Sequence, residues 1–576
     1  MCGFLFLSSK RPLKEEEVAK LLAIGKGLKH RGPDAEGYHL TKDRKKFFYH
    51  TRLSIIDLDS RANQPMIKDD FILVYNGEIY NFKELRQQLI ERGAHFFTKS
   101  DSEVIIECYR FYGVKCLELF TGMFAFCLYD RKKDEILIAR DRIGEKPLVY
   151  YKDNDKLIIT SEIPIILKIL KEIYNTKPSI NPEFFSLFFL GTYQHIPEPF
   201  SAWKGIKKLK PGYYIFFKND EIAEQGFYYT PLIEPKYLDY SESKLINLIK
   251  EKLIEAINYT TISDVPIAIL LSGGVDSSII AYVIKKILNK EIIAYTYGRD
   301  YKDDEIWRAK TVAENLKIPI KPIYFNEKEI LLRLKNIISI YGEPLSLYQF
   351  VFSDYLYEKI KEDGIKVVIT GNGADEIFYG YISYPKTFLF SYAIKLLALN
   401  RILSNKELKK MKYFITAYKQ KLPYNRDLVN SLFNEFEPLI RPFRNRFLID
   451  FINFWALISE NAHSITLVGD ISGMKNSVEV RSPFLNHKLV DLAFSIHPKL
   501  KIKKFFDKRG LYTKWILRRA FNVEEISEIL HRPKVGFGFY VLQDSSLPKG
   551  IQLKKWAINT FRCIYDVDIK EISEVF

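Results

Sequence analysis

Cysteine, long apolar runs and a targeting segment are the features that this sequence lacks or has little of. Five cysteines occur in 576 residues, without a paired framework or a CxxC motif, which excludes a disulfide scaffold and argues against structural zinc. The longest apolar candidate, 387–399, is too short for a bilayer and contains Lys395. The N-terminus has neither the basic region nor the apolar core of a signal peptide. We therefore expect a soluble protein of the reducing cytoplasm, with no membrane partner.

Internal repeats, low-complexity tracts and long basic blocks are absent as well. The net charge is +16, from 87 Lys and Arg against 71 Asp and Glu. These charges are spread along the whole chain, which argues against a nucleic-acid partner. The length exceeds what one hydrophobic core usually supports. The sequence therefore predicts two globular domains and leaves a homodimer open.

The first part of the chain is typical of an α+β sandwich. Residues 1–165 contain short apolar segments separated by turn residues, which predict β-strands. Helical spacing interrupts them at 14–28 and 102–112. Residues from about 165 to 235 are rich in proline and aromatic side chains and indicate an irregular connection. We place the first domain at 2–210, with part of this connection.

The second part of the chain has the pattern of an α/β domain. Beyond Ser241, long helical patterns alternate with short β-branched runs such as 292–296 and 367–370. This alternation predicts a parallel sheet flanked by helices on both faces. Residues 384–465 have an almost wholly helical pattern and carry no interpretable motif. The second domain is therefore predicted at 240–576, with a helical insert.

A glycine turn between a strand and a helix is the most informative motif of the second part. The apolar run 265–270 precedes Leu271-Ser272-Gly273-Gly274-Val275-Asp276-Ser277-Ser278. Backbone N–H groups and serine hydroxyls in such a turn bind phosphate oxygens. Asp276 would repel bare phosphate, so we expect Mg²⁺ between them. The turn has no Walker-type lysine and resembles the pyrophosphate loop of the N-type ATP pyrophosphatases, which adenylate a substrate and release pyrophosphate.

Cys2 is a candidate nucleophile at the other end of the chain. Removal of Met1 would give one residue both a thiol and a free α-amine. With a reference pKa of about 7.7–8.0, that amine suits a general base for its own nucleophile. A cysteine at position 2 is weak evidence by itself, so its context matters.

Three clusters provide that context, because they suit a site that binds free glutamine. Arg52 could pair with an α-carboxylate, and Asp101 could accept the α-ammonium group. The Asn76 amide and the Gly77 N–H could form an oxyanion hole. Each cluster has an ordinary structural alternative, since Asn-Gly is usually a hairpin turn and single charges usually lie on the surface.

Further short motifs follow one another along the chain in a fixed order. They are Met1-Cys2-Gly3, Arg31-Gly32-Pro33-Asp34, the Arg52 segment His50-Thr51-Arg52-Leu53-Ser54-Ile55, Asn76-Gly77-Glu78-Ile79-Tyr80-Asn81, Ser100-Asp101, Ala139-Arg140-Asp141, the Ser272 loop, Gly371-Asn372-Gly373-Ala374-Asp375-Glu376, Glu479–Leu485, Lys514–Ala520 and His531-Arg532-Pro533-Lys534. Together these motifs resemble those of glutamine-hydrolysing asparagine synthetases of class B, over nearly everything except the helical insert. We interpret Arg31–Asp34 as a scaffold turn and Glu479–Leu485 as core packing.

The resemblance implies an Ntn-type αββα glutaminase domain of class II. Cys2 would attack the glutamine amide carbon, and Asn76 and Gly77 would hold the oxyanion. The amino-acid end of glutamine would be bound by Arg52, Glu78 and Asp101. Ammonia would then pass through an internal channel that excludes water.

The resemblance also implies an N-type ATP pyrophosphatase-like synthetase domain. ATP would activate a carboxylate as an acyl adenylate, and ammonia would complete the amide with release of AMP. Lys514 would steady phosphate charge, and Mg²⁺ would be held by Asp276 and Asp375. The ATP and pyrophosphate residues would be Leu271, Ser272, Gly273, Gly274, Asp276, Ser277, Tyr297, Gly371 and Asp375.

Departures from the family pattern are confined to the acceptor side. Asn372 replaces the usual Glu between the two glycines, and an amide does not serve as a base. Tyr379 replaces a glycine, and 342–347 lacks the usual acidic pattern. L-Aspartate is our first choice of acceptor. The alternatives are a sugar uronic acid or another carboxylate, and a nonenzymatic regulator on the same scaffold.

Overall fold

The computed structural model describes most of the chain. The described residues are 2–189, 193–298, 303–325, 329–381, 404, 406–410, 425–444, 446–460, 463–504, 511–532, 548 and 550–567. Among the helices of these ranges, none has both the length and the apolarity needed to cross a bilayer.

Two six-stranded antiparallel sheets form the N-terminal half, in the orders β10-β8-β9-β1-β3-β2 and β12-β11-β7-β6-β5-β4. The strands are β1 (Cys2–Ser9), β2 (Ala35–Leu40), β3 (Lys46–Arg52), β4 (Met66–Lys68), β5 (Phe71–Ile79), β6 (Gly122–Asp130), β7 (Glu135–Arg140), β8 (Val149–Lys152), β9 (Lys156–Thr160), β10 (Ile206–Lys208), β11 (Tyr213–Lys218) and β12 (Glu221–Phe227). The helices are α1 (Glu15–Gly25), α2 (Phe82–Glu91), α3 (Asp101–Tyr112), α4 (Cys116–Leu119), α5 (Ile163–Glu172) and α6 (Phe185–Phe188).

Alternating side chains on the central strands create the layers of this half. Phe4 and Phe6 of β1 point to the core between the two sheets, where they meet Val74 of β5. Leu5 and Leu7 point the other way, to the core shared with α1 and α5. Because successive side chains of a strand face opposite sides, each sheet is covered on both faces. The predicted αββα sandwich is confirmed.

The interpretation of residues 165–235 as irregular connection was wrong. This stretch contains α5 and the hairpin of β11 and β12, which extends the second sheet by pairing with β7. Asn219 and Asp220 both have positive φ, of 51° and 61°, as a two-residue type I′ hairpin turn requires. The Asn-Asp pair was therefore the missed signal.

A five-stranded parallel sheet of order β15-β14-β13-β16-β17 is the centre of the C-terminal half. The strands here are β13 (Ile267–Leu270), β14 (Ile293–Gly298), β15 (Ile320–Tyr324), β16 (Val367–Ile369), β17 (Glu479–Arg481), β18 (Ile502–Lys504) and β19 (Leu511–Thr513). The helices are α7 (Glu242–Thr260), α8 (Val275–Tyr282), α9 (Asp304–Leu316), α10 (Ile330–Tyr341), α11 (Gln349–Glu362), α12 (Ala374–Phe378), α13 (Arg426–Glu435), α14 (Glu437–Ile440), α15 (Leu448–Trp455), α16 (Val468–Lys475), α17 (His487–Ser495), α18 (Trp515–Ala520), α19 (Ser527–Leu530) and α20 (Ile551–Tyr565).

The strand order of this sheet fixes where a ligand can bind. From β13 the chain moves outward through β14 and β15, and it then returns to place β16 on the other side of β13. Ligands of open α/β sheets bind at the carboxyl ends of strands where the order reverses in this way. The reversal lies between β13 and β16, which are followed by the Ser272 loop and the Gly371 loop. The predicted parallel sheet with flanking helices is confirmed.

The predicted helical insert is described in part. Its described residues include α13, α14 and α15, whereas 384–403, 405, 411–424, 445 and 461–462 lie outside the described residues. The antiparallel sheets end at Phe227 and α7 begins at Glu242. The division into domains at 2–210 and 240–576 stays a proposal.

Candidate active sites

Cys2 is the first residue of β1 and is held at both ends of its backbone. Its exposed fraction is 7%, and its N–H donates to Asn76 Oδ1 at 3.1 Å. Its carbonyl accepts from Arg31 Nε at 3.1 Å. Burial raises the pKa of the Cys2 thiol. The thiol therefore needs a base if it is to act as a nucleophile near neutral pH.

Asn76 and Gly77 lie beside Cys2 on β5. Asn76 is fully buried, and no group of the described chain accepts a hydrogen bond from its Nδ2. Buried amide donors are rarely left unpaired. Gly77 has φ +149°, and a Cβ there would lie 2.1 Å from the Met123 carbonyl oxygen. Asn76 thus has an unpaired donor in the residue that contacts Cys2, and the following position, 77, admits only glycine.

Arg52 is paired opposite Cys2 in the β1–β3 ladder. Its guanidinium donates to the loop that follows β3: Nη1 contacts the carbonyl of Asp59 at 3.0 Å and Asn63 Oδ1 at 2.8 Å, and Nη2 contacts the carbonyls of Ile56 and Asp57. Arg52 therefore orders the loop beside the nucleophile.

Glu78 and Asp101 are buried near the same site. Asp101 Oδ2 accepts from the Tyr75 hydroxyl at 2.8 Å and from the Ile79 N–H at 2.9 Å, and burial raises the pKa of Asp101. Burial and the nearby Glu479 raise the pKa of Glu78. Glu78 Oε2 has no hydrogen-bond partner in the parts of the chain that are described. The structure thus places these two acidic groups with Cys2, Asn76, Gly77 and Arg52, and their role in binding glutamine stays a prediction.

Arg481 joins Glu78 to the C-terminal half, a contact that the sequence did not reveal. Its Nη2 lies 3.3 Å from Glu78 Oε1, and its Nε pairs with Glu479. The residue belongs to the motif Glu479–Leu485, which was interpreted as core packing. Arg481 is fully buried, and its guanidinium, which belongs to the C-terminal half, pairs with a carboxylate of the N-terminal half.

The Ser272 loop has the geometry of a phosphate-binding turn. Ser277 Oγ accepts from the Ser272 N–H at 3.2 Å, and Ser272 Oγ accepts from the Gly274 N–H at 3.3 Å. Gly273 has φ +66°, and a Cβ there would meet Arg308 Cβ at 2.4 Å. Helix α8 begins directly after the loop, so its free N–H groups face the same side.

Lys514 lies between the two aspartates that were predicted to face a metal. Its Nζ pairs with Asp276 Oδ2 and lies 2.8 Å from Asp375 Oδ1. Burial alone would lower the pKa of Lys514, but the charges of Asp276 and Asp375 outweigh burial and raise it. The three charges therefore form one cluster at the carboxyl ends of β13 and β16.

Asp276 has an unpaired carboxylate oxygen in this cluster. Its Oδ1 is buried without a hydrogen-bond partner among the described residues. Carboxylate oxygens supplemented by phosphate oxygens are typical ligands of Mg²⁺. No cluster of three or more His, Cys, Asp or Glu able to hold a metal occurs within the described ranges. Asp276 and Asp375 thus fit an ion held partly by a polyphosphate.

The cleft around this cluster has a volume of about 130 Å³ and is rich in basic groups. The polar lining residues that the sequence did not identify as site residues are Glu305, Arg308, Thr513, Arg518 and Arg532. Arg532 belongs to the motif 531–534, which was its only sequence signal. The basic side chains suit a polyphosphate.

Leu271, Tyr297 and Gly371 lie at the carboxyl ends of β13, β14 and β16, yet they are not among the residues that line the cleft. Leu271 is buried, and its N–H donates to the Tyr295 carbonyl at 2.8 Å. A Cβ on Gly371 would meet Asp276 Cβ at 3.0 Å, so Gly371 packs directly against the charged cluster.

Lys501 is a buried lysine behind this cluster. Its Nζ lies 4.0 Å from the centroid of the Tyr379 ring and has no hydrogen-bond partner in the described part of the chain. The charged groups facing it are Asp450 and Arg446. Burial lowers the pKa of Lys501 to about 7.

We expect Lys501→Met to stabilise the protein at pH 7 more than at pH 10. The folded-state pKa lies below the unfolded value, so charging the buried amine costs stability at low pH, and this cost fades as the pH rises from 7 toward 10.5. The gain at pH 7 should be on the order of 2–4 kcal/mol. Urea unfolding of both proteins at each pH measures it. An equal difference at the two pH values would contradict the prediction.

Known proteins match the chain over both halves. Residues 1–229 match the family described as glutamine amidotransferase domain, and residues 248–561 match the asparagine synthase family. A putative asparagine synthetase [glutamine-hydrolyzing] 2 of Methanocaldococcus jannaschii is 33% identical over 427 residues, which are 70% of this chain and 80% of the relative. Asparagine synthetase [glutamine-hydrolyzing] 1 of Bacillus subtilis is 28% identical over 577 residues, with coverages of 93% and 87%. Amidase chyE of Penicillium rubens is also 28% identical, over 616 residues, with coverages of 93% and 88%.

Proposed function

The chain belongs to the asparagine synthase family, and we propose that it is a ligase that uses ATP and glutamine to convert L-aspartate to L-asparagine. The products besides asparagine are AMP, pyrophosphate and glutamate. The observation that carries this proposal is the presence of two complementary sites in one chain. One is a buried cysteine beside an unpaired amide donor, and the other is a phosphate-type loop beside a lysine between two aspartates.

In the first site, nitrogen is released from glutamine. After removal of Met1, the α-amine of Cys2 takes the thiol proton while the sulfur attacks the amide carbon. The Asn76 Nδ2 and the Gly77 N–H hold the oxyanion that forms. Ammonia leaves, and water hydrolyses the thioester to glutamate. The orphaned Asn76 amide supports this assignment, because it gains an acceptor only when an oxyanion forms.

We expect Asn76→Ala to reduce glutamine hydrolysis roughly 100- to 1,000-fold, as loss of one oxyanion donor does elsewhere. The substitution also removes the oxygen that accepts from the Cys2 N–H. Since ground-state binding of glutamine depends on other residues, kcat should fall more than KM rises. Glutamate release at several glutamine concentrations separates the two. A change confined to KM would sink the oxyanion assignment.

Ammonia reaches the second site through the contact between the two halves. A small cavity of about 20 Å³, with room for about one molecule the size of water or ammonia, lies there, with Tyr80, Thr121 and Glu145 on one side and Thr260, Ser482 and His487 on the other. Burial and Asp141 raise the pKa of Glu145 to about 8. A largely enclosed path keeps ammonia from being protonated in bulk water. This cavity supports the predicted internal channel.

In the second site, the acceptor carboxylate attacks the α-phosphorus of ATP, and the bond to the bridging oxygen breaks. Pyrophosphate leaves, held by the Ser272 loop, while Lys514 and Arg308 offset the charge of the phosphates. Asp276 and Asp375 would hold Mg²⁺, which when bound neutralises phosphate charge. Ammonia then attacks the acyl carbon and AMP leaves. The amide forms because AMP is a far better leaving group than oxide.

A different carboxylate is the second candidate acceptor, and Asn372 favours it. The Asn372 side chain donates to the Ile465 carbonyl at 3.2 Å, where the family usually has a glutamate. An amide does not accept the proton of incoming ammonia. Relatives named amidases match over most of their length, which supports acceptors other than aspartate. A sugar uronic acid or another biosynthetic carboxylate would use the same two half-reactions.

One experiment tests the function and selects the acceptor. The protein is incubated with glutamine, Mg-ATP and one candidate acid at a time, and AMP, pyrophosphate and the amide are followed by mass. Asparagine formation that requires aspartate is the expected result. Turnover with a uronic acid alone would select the second candidate. Release of ADP, or no AMP with any acid, would overturn the proposed chemistry.

A further inference from the structure

The turn His30–Asp34, here the Arg31 turn, contacts the C-terminal half at three points. The Ser477 hydroxyl donates to the His30 carbonyl at 2.8 Å, and Arg31 Nη2 contacts both oxygens of Asp470 at 2.9 and 2.8 Å. Lys366 Nζ lies 2.7 Å from Asp34 Oδ2. A motif that was interpreted as a scaffold turn is therefore a contact between the two halves.

Arg31 also touches the nucleophile. Its Nε donates to the Cys2 carbonyl at 3.1 Å, and its side chain is 1% exposed. The guanidinium has a second carboxylate partner, Glu162, at 3.2 Å. Because the planar group is fixed by Asp470 on one edge, its Nε is aimed at Cys2. The position of the first residue of β1 thus depends on a carboxylate of the other half.

The partners of the turn belong to segments that lead to the nucleotide site. Lys366 immediately precedes β16, whose carboxyl end continues into the Gly371 loop. Asp470 lies on α16, which is followed by Ser477 and then by β17, the neighbour of β16 in the sheet. A shift of these strands relative to the sandwich would therefore act directly on the Arg31 turn.

We propose that Asp470 is a positioning residue for the glutaminase site, acting through Arg31. It lies in the synthetase half, yet it holds Arg31 against the Cys2 carbonyl and so orients the thiol and the α-amine toward glutamine. Loss of the Arg31–Asp470 pair would remove this connection between the two halves, because the position of Cys2 would then no longer depend on the position of α16. This inference rests on the proposed function of Cys2 and names the contact by which the synthetase half controls it.

The test is Asp470→Asn, which keeps the shape of the side chain but removes its charge. We expect glutamine hydrolysis to fall at least tenfold in kcat, and AMP formation with ammonium salts to stay within twofold of the unmodified protein. The ratio of the rate of glutamate release from glutamine to the rate of AMP formation with ammonium salts should therefore decrease. A residue with a merely structural role in its own half would lower the ammonium-dependent reaction as well.

The matched control is Asp354→Asn. Asp354 is a fully buried aspartate of α11 that pairs with Arg333 at 2.9 Å and with Lys475 at 2.7 Å, and these partners belong to its own half. The Asp354→Asn substitution should leave the ratio of glutamate release to AMP formation unchanged. Because Asp470→Asn leaves a buried cation with less compensation, the double variant Arg31→Met with Asp470→Asn provides a neutral pair, and it should show the same selective loss.

The outcomes separate this inference from the proposed function. If the unmodified protein releases no glutamate from glutamine, the function of Cys2 itself is wrong. If the unmodified protein is active but the folded Asp470→Asn protein hydrolyses glutamine normally, the positioning role is wrong, whatever the double variant does. The positioning role would also be wrong if activity fell equally with glutamine and with ammonium salts in variants whose thermal unfolding is unchanged.

Discussion

We expect Cys2→Ala to abolish amide formation from glutamine and to leave amide formation from ammonium salts within about twofold of the unmodified protein. This is the largest effect that we expect, because removal of a nucleophile from a covalent mechanism costs several orders of magnitude. The Cys2 side chain is buried beside Asn76, and loss of one sulfur leaves the nucleotide cleft intact. Glutamate release and AMP formation, measured with each nitrogen source, provide the readout.

Cys563→Ala is the control for this result. Cys563 is an exposed cysteine on α20, so its loss should change neither reaction. A folded Cys2→Ala protein that fails with ammonium salts as well would contradict two separable sites. Residual hydrolysis of glutamine by the Cys2→Ala protein would point to a nucleophile elsewhere.

Asp276→Asn should impair the ATP-dependent reaction and leave glutamine hydrolysis intact. It removes the charge that pairs with Lys514 Nζ and the buried oxygen that suits a metal ion. We expect AMP and pyrophosphate formation to fall roughly 100- to 1,000-fold with either nitrogen source, whereas glutamine hydrolysis without ATP should persist. Pyrophosphate release with ammonium chloride as the nitrogen source measures the loss without the first site.

Asp491→Asn serves as the matched control for this substitution. Asp491 accepts from the Tyr229 hydroxyl at 2.6 Å and from the Leu232 N–H at 3.2 Å, and it is not among the residues lining the cleft. Both reactions should survive its replacement. An Asp276→Asn protein with normal pyrophosphate release would remove this residue from the nucleotide site.

Much of the fold could be predicted because its cause is local. A continuous apolar run such as 4–7 is typical of a strand buried on both faces, and the run 265–270 before two glycines indicates a strand and a turn. The hairpin of β11 and β12 was missed because its turn signal, Asn219-Asp220, lies among prolines and aromatics. The turn residues outweigh the proline-rich and aromatic composition there, because positive φ at two successive positions fixes a tight hairpin.

The site residues that sequence motifs identified differ from those that only the structure reveals. Cys2, Asn76 and the Ser272 loop lie in short segments whose residue types already state their chemistry. Arg31 and Asp470 meet across a separation of 439 positions, and neither residue type is distinctive alone. Glu305 and Arg308 reach the cleft because α9 begins beyond the carboxyl end of β14, at the edge of the sheet where the Ser272 loop lies. Such pairs depend on strand order, which local patterns do not determine.

The ion pairs between the two halves restrict which halves of related enzymes can be combined in one chain. Arg31 and Glu78 belong to one half, and their partners Asp470 and Arg481 belong to the other. A chimaera that took its first 235 residues from a relative would bury an unmatched charge wherever one partner differed, at a cost of about 3–5 kcal/mol. An exchange of one half between relatives should therefore preserve stability when the incoming half carries the complementary charged residue at each of these two contacts.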